Sequence, residues 1–191
     1  MQATRDLVFL GVSGSLRAGS YNSAALCAAT TLVPRGVILE VAGIADIPLY
    51  NDDVKVARIP DAVEELRARI ERADGLLIVT PEYNYSIPGV LKNTIDWLSR
   101  TAKQPFNRKP TAIMGASPGM LGTARCQYHL RQVLTALNAL VLNKPEVMIA
   151  SAATKFDEQG HLTDDATREH IGKLLQALAE WTRLLKSGSA S

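Results

Sequence analysis

The stretch LVFLGVSGSLRAGSYN, residues 7–22, begins as an uninterrupted apolar run and ends in a loop of glycine, serine and one arginine. An apolar run of this length without polar alternation is typical of a strand that is covered on both faces, as in a parallel sheet. An alanine-rich segment with helical spacing follows at 23–33. The stretch therefore predicts a buried strand, a loop and a helix in succession.

The same alternation continues along the whole chain. Apolar runs of strand length lie at Leu7–Val12, Val37–Val41, Leu76–Thr80, Thr111–Ala116 and Val147–Ala150. Segments with helical spacing lie at Ser23–Val33, Ala62–Ala73, Val90–Ser99, Thr123–Leu140 and Ala166–Leu185. Five strands that alternate with five helices predict an α/β fold of doubly wound type, in which a parallel sheet lies between two helical layers. We expect one domain over residues 1–185, followed by a polar tail at 186–191.

Composition narrows the class of protein. The chain has 191 residues, 47% of them hydrophobic and 21% charged, with 21 Lys and Arg against 19 Asp and Glu. This balance is typical of a globular protein and predicts neither disorder nor a nucleic-acid partner. Neither a secretion signal nor an apolar run of about 20 residues is evident, so we expect a cytoplasmic protein without a membrane span. Cys27 and Cys126 lack the CxxC spacing, which predicts two reduced thiols, and the scattered histidines predict no metal site.

Three loops follow predicted strands at one edge of the sheet. They span Ser13–Asn22, Pro81–Pro88 and Ser117–Gly122, and each runs into a predicted helix. In open parallel sheets ligands bind beyond the carboxyl ends of the strands, where the strand order reverses. We therefore expect the ligand site among these loops.

The first loop has the donors that a phosphate needs. A helix N-terminus presents unpaired N–H groups and the positive end of its dipole. Ser13, Ser15 and Ser20 add hydroxyls, Asn22 adds an amide, and Arg17 can bind a phosphate through two hydrogen bonds. Neither the Walker pattern nor GxGxxG is present, which favours a terminal phosphate monoester over a triphosphate or a dinucleotide. The alternative is an ordinary strand-to-helix turn capped by Ser20 or Asn22.

The second loop suits a flat ring. It begins the string TPEYNYSIPGVLKNTIDWLSR at residues 80–100. Backbone N–H groups and the aromatic side chain within Pro81-Glu82-Tyr83-Asn84 could bind an isoalloxazine ring. Pro88 fits the first turn of the next helix, where its missing N–H costs nothing. The alternative is a proline-rich turn in which Tyr85 packs for structural reasons.

Three strings together resemble one family. SGSLRAGSYN (13–22), PEYNYSIPGVLKNTIDWLSR (81–100) and GASPGMLG (115–122) are similar, in this order, to the NAD(P)H-dependent FMN reductase family, and most to its chromate and quinone reductase branch. The similarity runs from about Leu7 to Ala150. It implies a flavodoxin-like three-layer sandwich, a five-stranded sheet of order 2-1-3-4-5, FMN as cofactor, and NADPH or NADH as cosubstrate.

The resemblance also implies a set of binding residues. Carried over by position, the phosphate and ribityl chain would be surrounded by Ser13, Ser15, Arg17, Ser20, Tyr21 and Asn22. The ring would be lined by Pro81, Glu82, Tyr83 and Asn84, with Ser117 and Gly119 at its far edge. One position departs from the family pattern, which often has two adjacent glycines where this chain has Gly122-Thr123. The Cβ of Thr123 is expected to limit positive φ and close backbone approach there.

The reaction that follows from the resemblance is a ping-pong cycle. NAD(P)H would reduce the flavin and leave, and a quinone would then take the same position; chromate, azo compounds and free flavin are further candidate acceptors. No side chain is expected to act as nucleophile. Arg100, Lys103 and Arg125 are candidate charges for the phosphates of the nicotinamide nucleotide, and the alternative for each is an ordinary solvated surface charge. The rival functions are a flavodoxin-type electron carrier, a class that is usually strongly acidic whereas this chain has a net charge of +2, and a nucleotide-binding regulator without flavin.

The resemblance implies a homodimer or homotetramer. The helix that begins at Val90 carries Leu91, Ile95, Trp97 and Leu98, an apolar set that is wide enough to serve both core and interface. We expect its exposed share to pair with the same helix of a second copy. Arg125, Tyr128 and Glu146 are predicted to form a polar contact in a larger assembly.

Overall fold

A parallel sheet forms the centre of the computed structural model, which describes residues 6–188. Within those residues six strands are present: β1 Leu7–Ser13, β2 Val37–Ala42, β3 Gly75–Val79, β4 Pro110–Ala116, β5 Leu140–Val141 and β6 Val147–Ile149. They follow the order β2-β1-β3-β4-β5, and β6 also pairs with β4. All the pairings are parallel. The flavodoxin-like order that the resemblance implies is therefore confirmed.

The last position of the sheet differs from the prediction. One strand was expected at 147–150, whereas two short strands share the free side of β4. β5 pairs with the first two residues of β4, and β6 pairs with its last three. Between them, Pro145 has no N–H to donate to a ladder. The sheet therefore has six strands over five positions.

Helices cover both faces of the sheet, and they are α1 Tyr21–Thr30, α2 Asp52–Ala57, α3 Asp61–Arg72, α4 Gly89–Ser99, α5 Ala124–Ala136 and α6 Asp165–Gly188. The core on one side contains buried residues of α1 and α6, and the core on the other contains those of α3, α4 and α5. Burial of both faces explains why the strands read as continuous apolar runs. The predicted three-layer arrangement is confirmed.

The five predicted helices form with ends shifted by up to four residues, and one helix was missed. The helix predicted over 123–140 ends at Ala136, because Asn138 takes a left-handed φ of 56° and its N–H bonds back to the carbonyl of Thr135. α6 extends to Gly188, and its Lys186 pairs with the buried Asp74, so the predicted tail begins within a helix. Residues 189–191 lie outside the described residues. α2 buries no side chain, so it has no apolar stripe for sequence to reveal.

α4 buries the apolar set that was expected to reach a second copy. Its four residues Leu91, Ile95, Trp97 and Leu98 are all 2% exposed or less. The indole Nε1 of Trp97 donates to the carbonyl of Pro48 at 2.8 Å, and Tyr50 packs edge-on against the same indole. The expectation that these side chains are shared with an interface is therefore wrong, because all four are buried within the chain: Leu91, Ile95 and Leu98 belong to the core on that side of the sheet, and the connection after β2 covers Trp97. No helix in residues 6–188 has the length and apolar character needed to cross a membrane.

Candidate functional site

Three loops meet at the carboxyl edge of β1, β3 and β4. Loop 1 (residues 14–20) is joined to β3 by a bond from the Gly14 N–H to the Val79 carbonyl at 2.8 Å. The start of α1 is joined to the end of β4 by Asn22, whose amide accepts from the Ala116 N–H at 2.8 Å and donates to the Ala116 carbonyl at 2.9 Å. The chain thus brings its predicted site loops to one edge.

Loop 1 uses several predicted ligand side chains for its own structure. Ser20 is the N-cap of α1, and its hydroxyl accepts from the N–H groups of Asn22 and Ser23. The amide of Asn22 is committed to Ala116. The ring of Tyr21 packs on that of Phe156, with 5.4 Å between centroids. These three side chains therefore fix the N-terminus of α1, and the capping alternative describes the Ser20 hydroxyl.

The remaining predicted residues of the first loop line a cavity of about 560 Å³. Ser13, Ser15 and Arg17 form part of its wall, together with one side of α1 and residues 41–45. The Arg17 guanidinium is anchored to the Gly19 carbonyl at 2.6 Å, and the hydroxyl of Ser15 accepts from the Arg17 N–H at 3.3 Å. Neither the cavity lining nor the first turn of α1 contains an acidic residue among those described. This donor set fits a phosphate monoester.

Loop 2 (residues 80–88) contains a tight turn at its tip. Tyr83 and Ser86 exchange two backbone hydrogen bonds, and the residues between them, Asn84 and Tyr85, have φ of 49° and 68°. Two successive left-handed residues define a type I′ turn. The bridge uses neither the Asn84 nor the Tyr85 N–H, which leaves these groups free to bind a ligand. The rings of Tyr83 and Tyr85 are half exposed or more.

Arg125 of α5 holds the side chain of Tyr85 in place. The Arg125 guanidinium lies 3.5 Å from the centroid of the Tyr85 ring, in cation–π geometry. A bulky residue pays a steric cost for positive φ, so this contact stabilises an otherwise unfavourable turn. The Ser86 hydroxyl lies 3.2 Å from Nδ1 of His129 on the same helix as Arg125. Sequence reasoning missed both contacts because the partners are about 40 residues apart.

Glu82 faces away from the solvent side of loop 2. Its side chain is 6% exposed and accepts from Nε of Arg125 at 2.5 Å and from the N–H of Cys126 at 3.1 Å. The resemblance implies that Glu82 belongs to the segment that lines the ring. The structure instead places its carboxylate against the first turn of α5, and only its backbone belongs to the loop.

Loop 3 (residues 117–123) is attached to the segment that follows β6. The Gly119 N–H donates to the Ser117 hydroxyl at 3.0 Å, and the carbonyls of Gly119 and Ser117 accept from the N–H groups of Ser151 and Ala152. At its tip Met120 is 89% exposed. Ser117 and Gly119 therefore lie at the predicted edge of the sheet, in a turn that is hydrogen-bonded to the segment after β6.

Gly122 and Thr123 both adopt left-handed backbone, with φ of 52° and 73°. The expectation that the Cβ of Thr123 limits positive φ is wrong at this position. Its side chain is buried, and its hydroxyl accepts from Nε2 of Gln127 at 3.1 Å. Packing and this hydrogen bond offset a conformational cost of about 1 kcal/mol.

Other predicted polar residues have partners within the chain. Arg100 lies over the Tyr50 ring, with 4.8 Å to its centroid, and Arg125 is paired with Glu82. The pKa of Glu146 is lowered chiefly by its bond to Lys144 and further by one to Tyr128.

Burial raises the pKa of the Cys126 thiol to about 11, which excludes a nucleophilic thiolate near neutral pH. In residues 6–188 no cluster of His, Cys, Asp and Glu could hold a metal.

Comparisons with known proteins place the chain among flavin-dependent reductases. Residues 8–154 match the family model described as NADPH-dependent FMN reductase. The chain is 60% identical over 181 residues to an NAD(P)H-dependent FMN reductase of Pseudomonas aeruginosa, covering 95% of this chain and 98% of the relative. It is 47% identical over 176 residues to a quinone reductase of Escherichia coli, covering 91% and 94%. Among solved structures, FerB of Paracoccus denitrificans, a flavoenzyme NAD(P)H:(acceptor) oxidoreductase, superposes with a TM-score of 0.84 at 33% identity, covering 93% of this chain and 97% of FerB.

Proposed function

Because this chain belongs to the NADPH-dependent FMN reductase family, we propose that loops 1, 2 and 3 hold its FMN in the manner described below. The chain is an enzyme, an FMN-dependent NAD(P)H:quinone oxidoreductase. FMN, when bound, supplies the site that takes up hydride from NAD(P)H and delivers it to the acceptor. The protein's own residues bind the cofactor, orient it and control access to it.

Loop 1 binds the phosphate. The Arg17 guanidinium and the hydroxyls of Ser13 and Ser15 are its side-chain donors, and the N-terminus of α1 adds the positive end of its helix dipole. Ser20, Tyr21 and Asn22 contribute by fixing that terminus, since their side chains bond or pack within the protein. The absence of acidic residues among the described lining residues supports this assignment.

Loops 2 and 3 bind the ring. Pro81, Glu82, Tyr83 and Asn84 offer their backbone on one side, where the bridge of the type I′ turn leaves the Asn84 N–H free, and Ser117 and Gly119 line the other side. Fixed backbone N–H groups stabilise the negative charge that a ring gains on reduction. No side chain acts as a nucleophile or transfers a proton in this scheme.

The open side of these loops receives both substrates in turn. Tyr83, Tyr85 and Met120 are exposed large side chains on loops 2 and 3, and they offer flat or flexible apolar contact to planar molecules. Quinones are the acceptor class that the relatives' names carry. Chromate, azo compounds and free flavin should be tested as acceptors beside quinones, because a site over an open ring distinguishes acceptors mainly by their shape.

The observation that carries this proposal is the acid-free donor set of loop 1 at the same sheet edge as the type I′ turn of loop 2. The purified protein, loaded with FMN, should lose its visible flavin absorbance when NADPH or NADH is added anaerobically. A quinone should then restore it. An unchanged spectrum would favour a flavodoxin-type carrier, and a protein that does not retain FMN would favour a regulator without flavin.

The phosphate assignment has its own test. Arg17→Glu should raise the FMN dissociation constant by about tenfold or more, because it removes a bidentate donor and places a carboxylate beside the phosphate. Quenching of flavin fluorescence on titration of the apoprotein measures that constant. Arg35→Glu is the matched control: it makes the same charge change at an exposed residue between α1 and β2. Equal effects of both variants would reject the assignment.

The assembly, the domain organisation and the location of the protein are also proposals. We propose a homodimer or homotetramer, because Leu49 and Val56 are 86% and 77% exposed on the connection between β2 and α3, with Leu16 and Val54 also exposed. We propose that residues 1–185 act as one domain, since a single sheet carries both cores. A cytoplasmic location is consistent with two free thiols.

A further inference from the structure

Glu82 is a buried acid that joins loop 2 to α5, and its partner Arg125 is 43 residues away in the sequence. The Glu82 carboxylate accepts from Arg125 Nε through one oxygen and from the Cys126 N–H through the other. Its side chain is 6% exposed, whereas that of Arg125 is 37% exposed. Such burial of a carboxylate is unfavourable unless charge and hydrogen bonds compensate it. The arrangement supplies both.

The N-terminus of α5 lacks a cap and an acid of its own. Its N-cap residue, Thr123, makes no side-chain hydrogen bond to the helix backbone, and the first turn of α5 contains no acidic residue. A negative group at that position gains from the helix dipole and from unpaired N–H groups. Glu82 therefore acts as the missing cap, supplied by loop 2 from outside the helix.

Glu82 also fixes Arg125, and Arg125 restrains the turn of loop 2. Arg125 is tied to Glu82 through its Nε and stacks its guanidinium on Tyr85. Tyr85 is the second left-handed residue of the type I′ turn. Glu82 thus restrains loop 2 at its base through Cys126 and at its tip through Arg125 and Tyr85. Thr80, at the start of the loop, also contacts the Cys126 thiol, with 3.6 Å between Oγ1 and Sγ.

We propose that Glu82 is a positioning residue. Its carboxylate does not contact the cofactor but holds the backbone of loop 2 in the geometry that binds the ring. This inference rests on the proposed function, because it assigns ring binding to that loop. It accounts for a side chain in the middle of the ring-binding string that points into the protein.

Three variants and one control test the proposal. Glu82→Ala removes both contacts, Glu82→Gln keeps an acceptor for the Cys126 N–H but loses the charge, and Arg125→Lys keeps a charge but loses the stacking plane. Asp74→Ala is the matched control. Asp74 is a buried acid of the same kind, which accepts from the Val8 N–H and pairs with Lys186 at the opposite edge of the sheet.

We expect Glu82→Ala to raise the FMN dissociation constant by about tenfold or more, the magnitude found when residues that orient metal-binding side chains are removed. The visible circular dichroism of the bound flavin should change with it. Glu82→Gln and Arg125→Lys should fall between wild type and Glu82→Ala. Asp74→Ala should lower the thermal midpoint and leave both flavin readouts at their wild-type values.

The outcomes separate this inference from the proposed function. If wild type binds no FMN, or its bound flavin is not reduced by NAD(P)H, the proposed function fails. If wild type behaves as expected while Glu82→Gln retains wild-type affinity and circular dichroism, the positioning role alone is rejected. Equal losses of flavin affinity in Asp74→Ala and Glu82→Gln would also reject it, because the effect would then be one of general stability. Should Glu82→Ala not fold, Glu82→Gln and Arg125→Lys decide the question.

Discussion

At the scale of single residues, Gly122 carries the sharpest backbone constraint in loop 3. Its φ is +52°, and a Cβ added there would lie 2.6 Å from the carbonyl carbon of Met148. Left-handed backbone costs an alanine about 1 kcal/mol, and overpacking against backbone adds about 1–3 kcal/mol. Gly122→Ala should therefore lower the free energy of unfolding, measured in urea, by about 2 kcal/mol or more.

Gly89 provides the control for that substitution. It is the first residue of α4, and nothing lies within 4 Å of an added Cβ. Alanine is the better helix former, so Gly89→Ala should leave stability unchanged or raise it by up to about 1 kcal/mol. A loss in Gly89→Ala that matched the loss in Gly122→Ala would contradict the steric argument.

The two thiols should differ in reactivity. Cys27 is exposed, whereas Cys126 is buried and its pKa is raised to about 11, with desolvation as the main cause and Glu82 as a smaller one. The thiolate is the reactive form, and at pH 8 only about one Cys126 in a thousand is ionised. A disulfide reagent should therefore label Cys27 quickly, and Cys27→Ser should remove the fast phase. Rapid labelling of native Cys27→Ser would show that Cys126 is accessible.

At the scale of elements, two asparagines make the same pair of bonds in different surroundings. Asn22 joins α1 to the buried backbone of Ala116 on β4. Asn93 joins α4 to the connection after β2, accepting from the Tyr50 N–H and donating to the Pro48 carbonyl, which also accepts from the indole of Trp97. The cost of removing each amide depends on what the backbone can bind instead.

Asn22→Ala should lower the free energy of unfolding by about 2–4 kcal/mol, since it leaves two buried backbone groups unpaired. Asn93→Ala should cost about 1 kcal/mol or less, because the Pro48 carbonyl keeps the Trp97 bond and the site is partly exposed to water. Its visible effect should be faster amide hydrogen exchange at Tyr50. Equal losses of global stability in the two variants would contradict this difference.

At the scale of the whole molecule, the apolar connection between β2 and α3 predicts self-association. Leu49→Glu with Val56→Glu should shift the protein from dimer or tetramer to monomer in light scattering, because each carboxylate would be buried in the interface. Leu184→Glu is the control, since Leu184 is 61% exposed on α6. A wild-type protein that is already monomeric would reject the assembly proposal.

Side-chain roles could be predicted from the sequence where the partner is a few residues away, and could not where the partner is distant in the sequence. Ser20 as a cap was open to prediction, because its partners are two and three residues away. Asn22 pairs with a backbone 94 residues away, and Glu82 with an arginine 43 residues away. Nothing in the local pattern distinguishes such side chains from ligands of a cofactor. The resemblance implies Asn22 near the phosphate and Glu82 at the ring, and the structure shows that the side chains of both make bonds within the protein.

The sequence by itself determined the α/β class, the positions of the main strands and helices, and the three loops that we propose hold the cofactor. Apolar periodicity, caps and turn residues act over a few neighbouring positions, so each of these features is encoded locally. The tertiary structure alone decided that the last sheet position is split between β5 and β6, that the apolar residues of α4 are fully buried within the chain, and that Glu82 caps α5. These outcomes depend on which distant segments pack together, and the burial energy that selects them is a property of the whole fold.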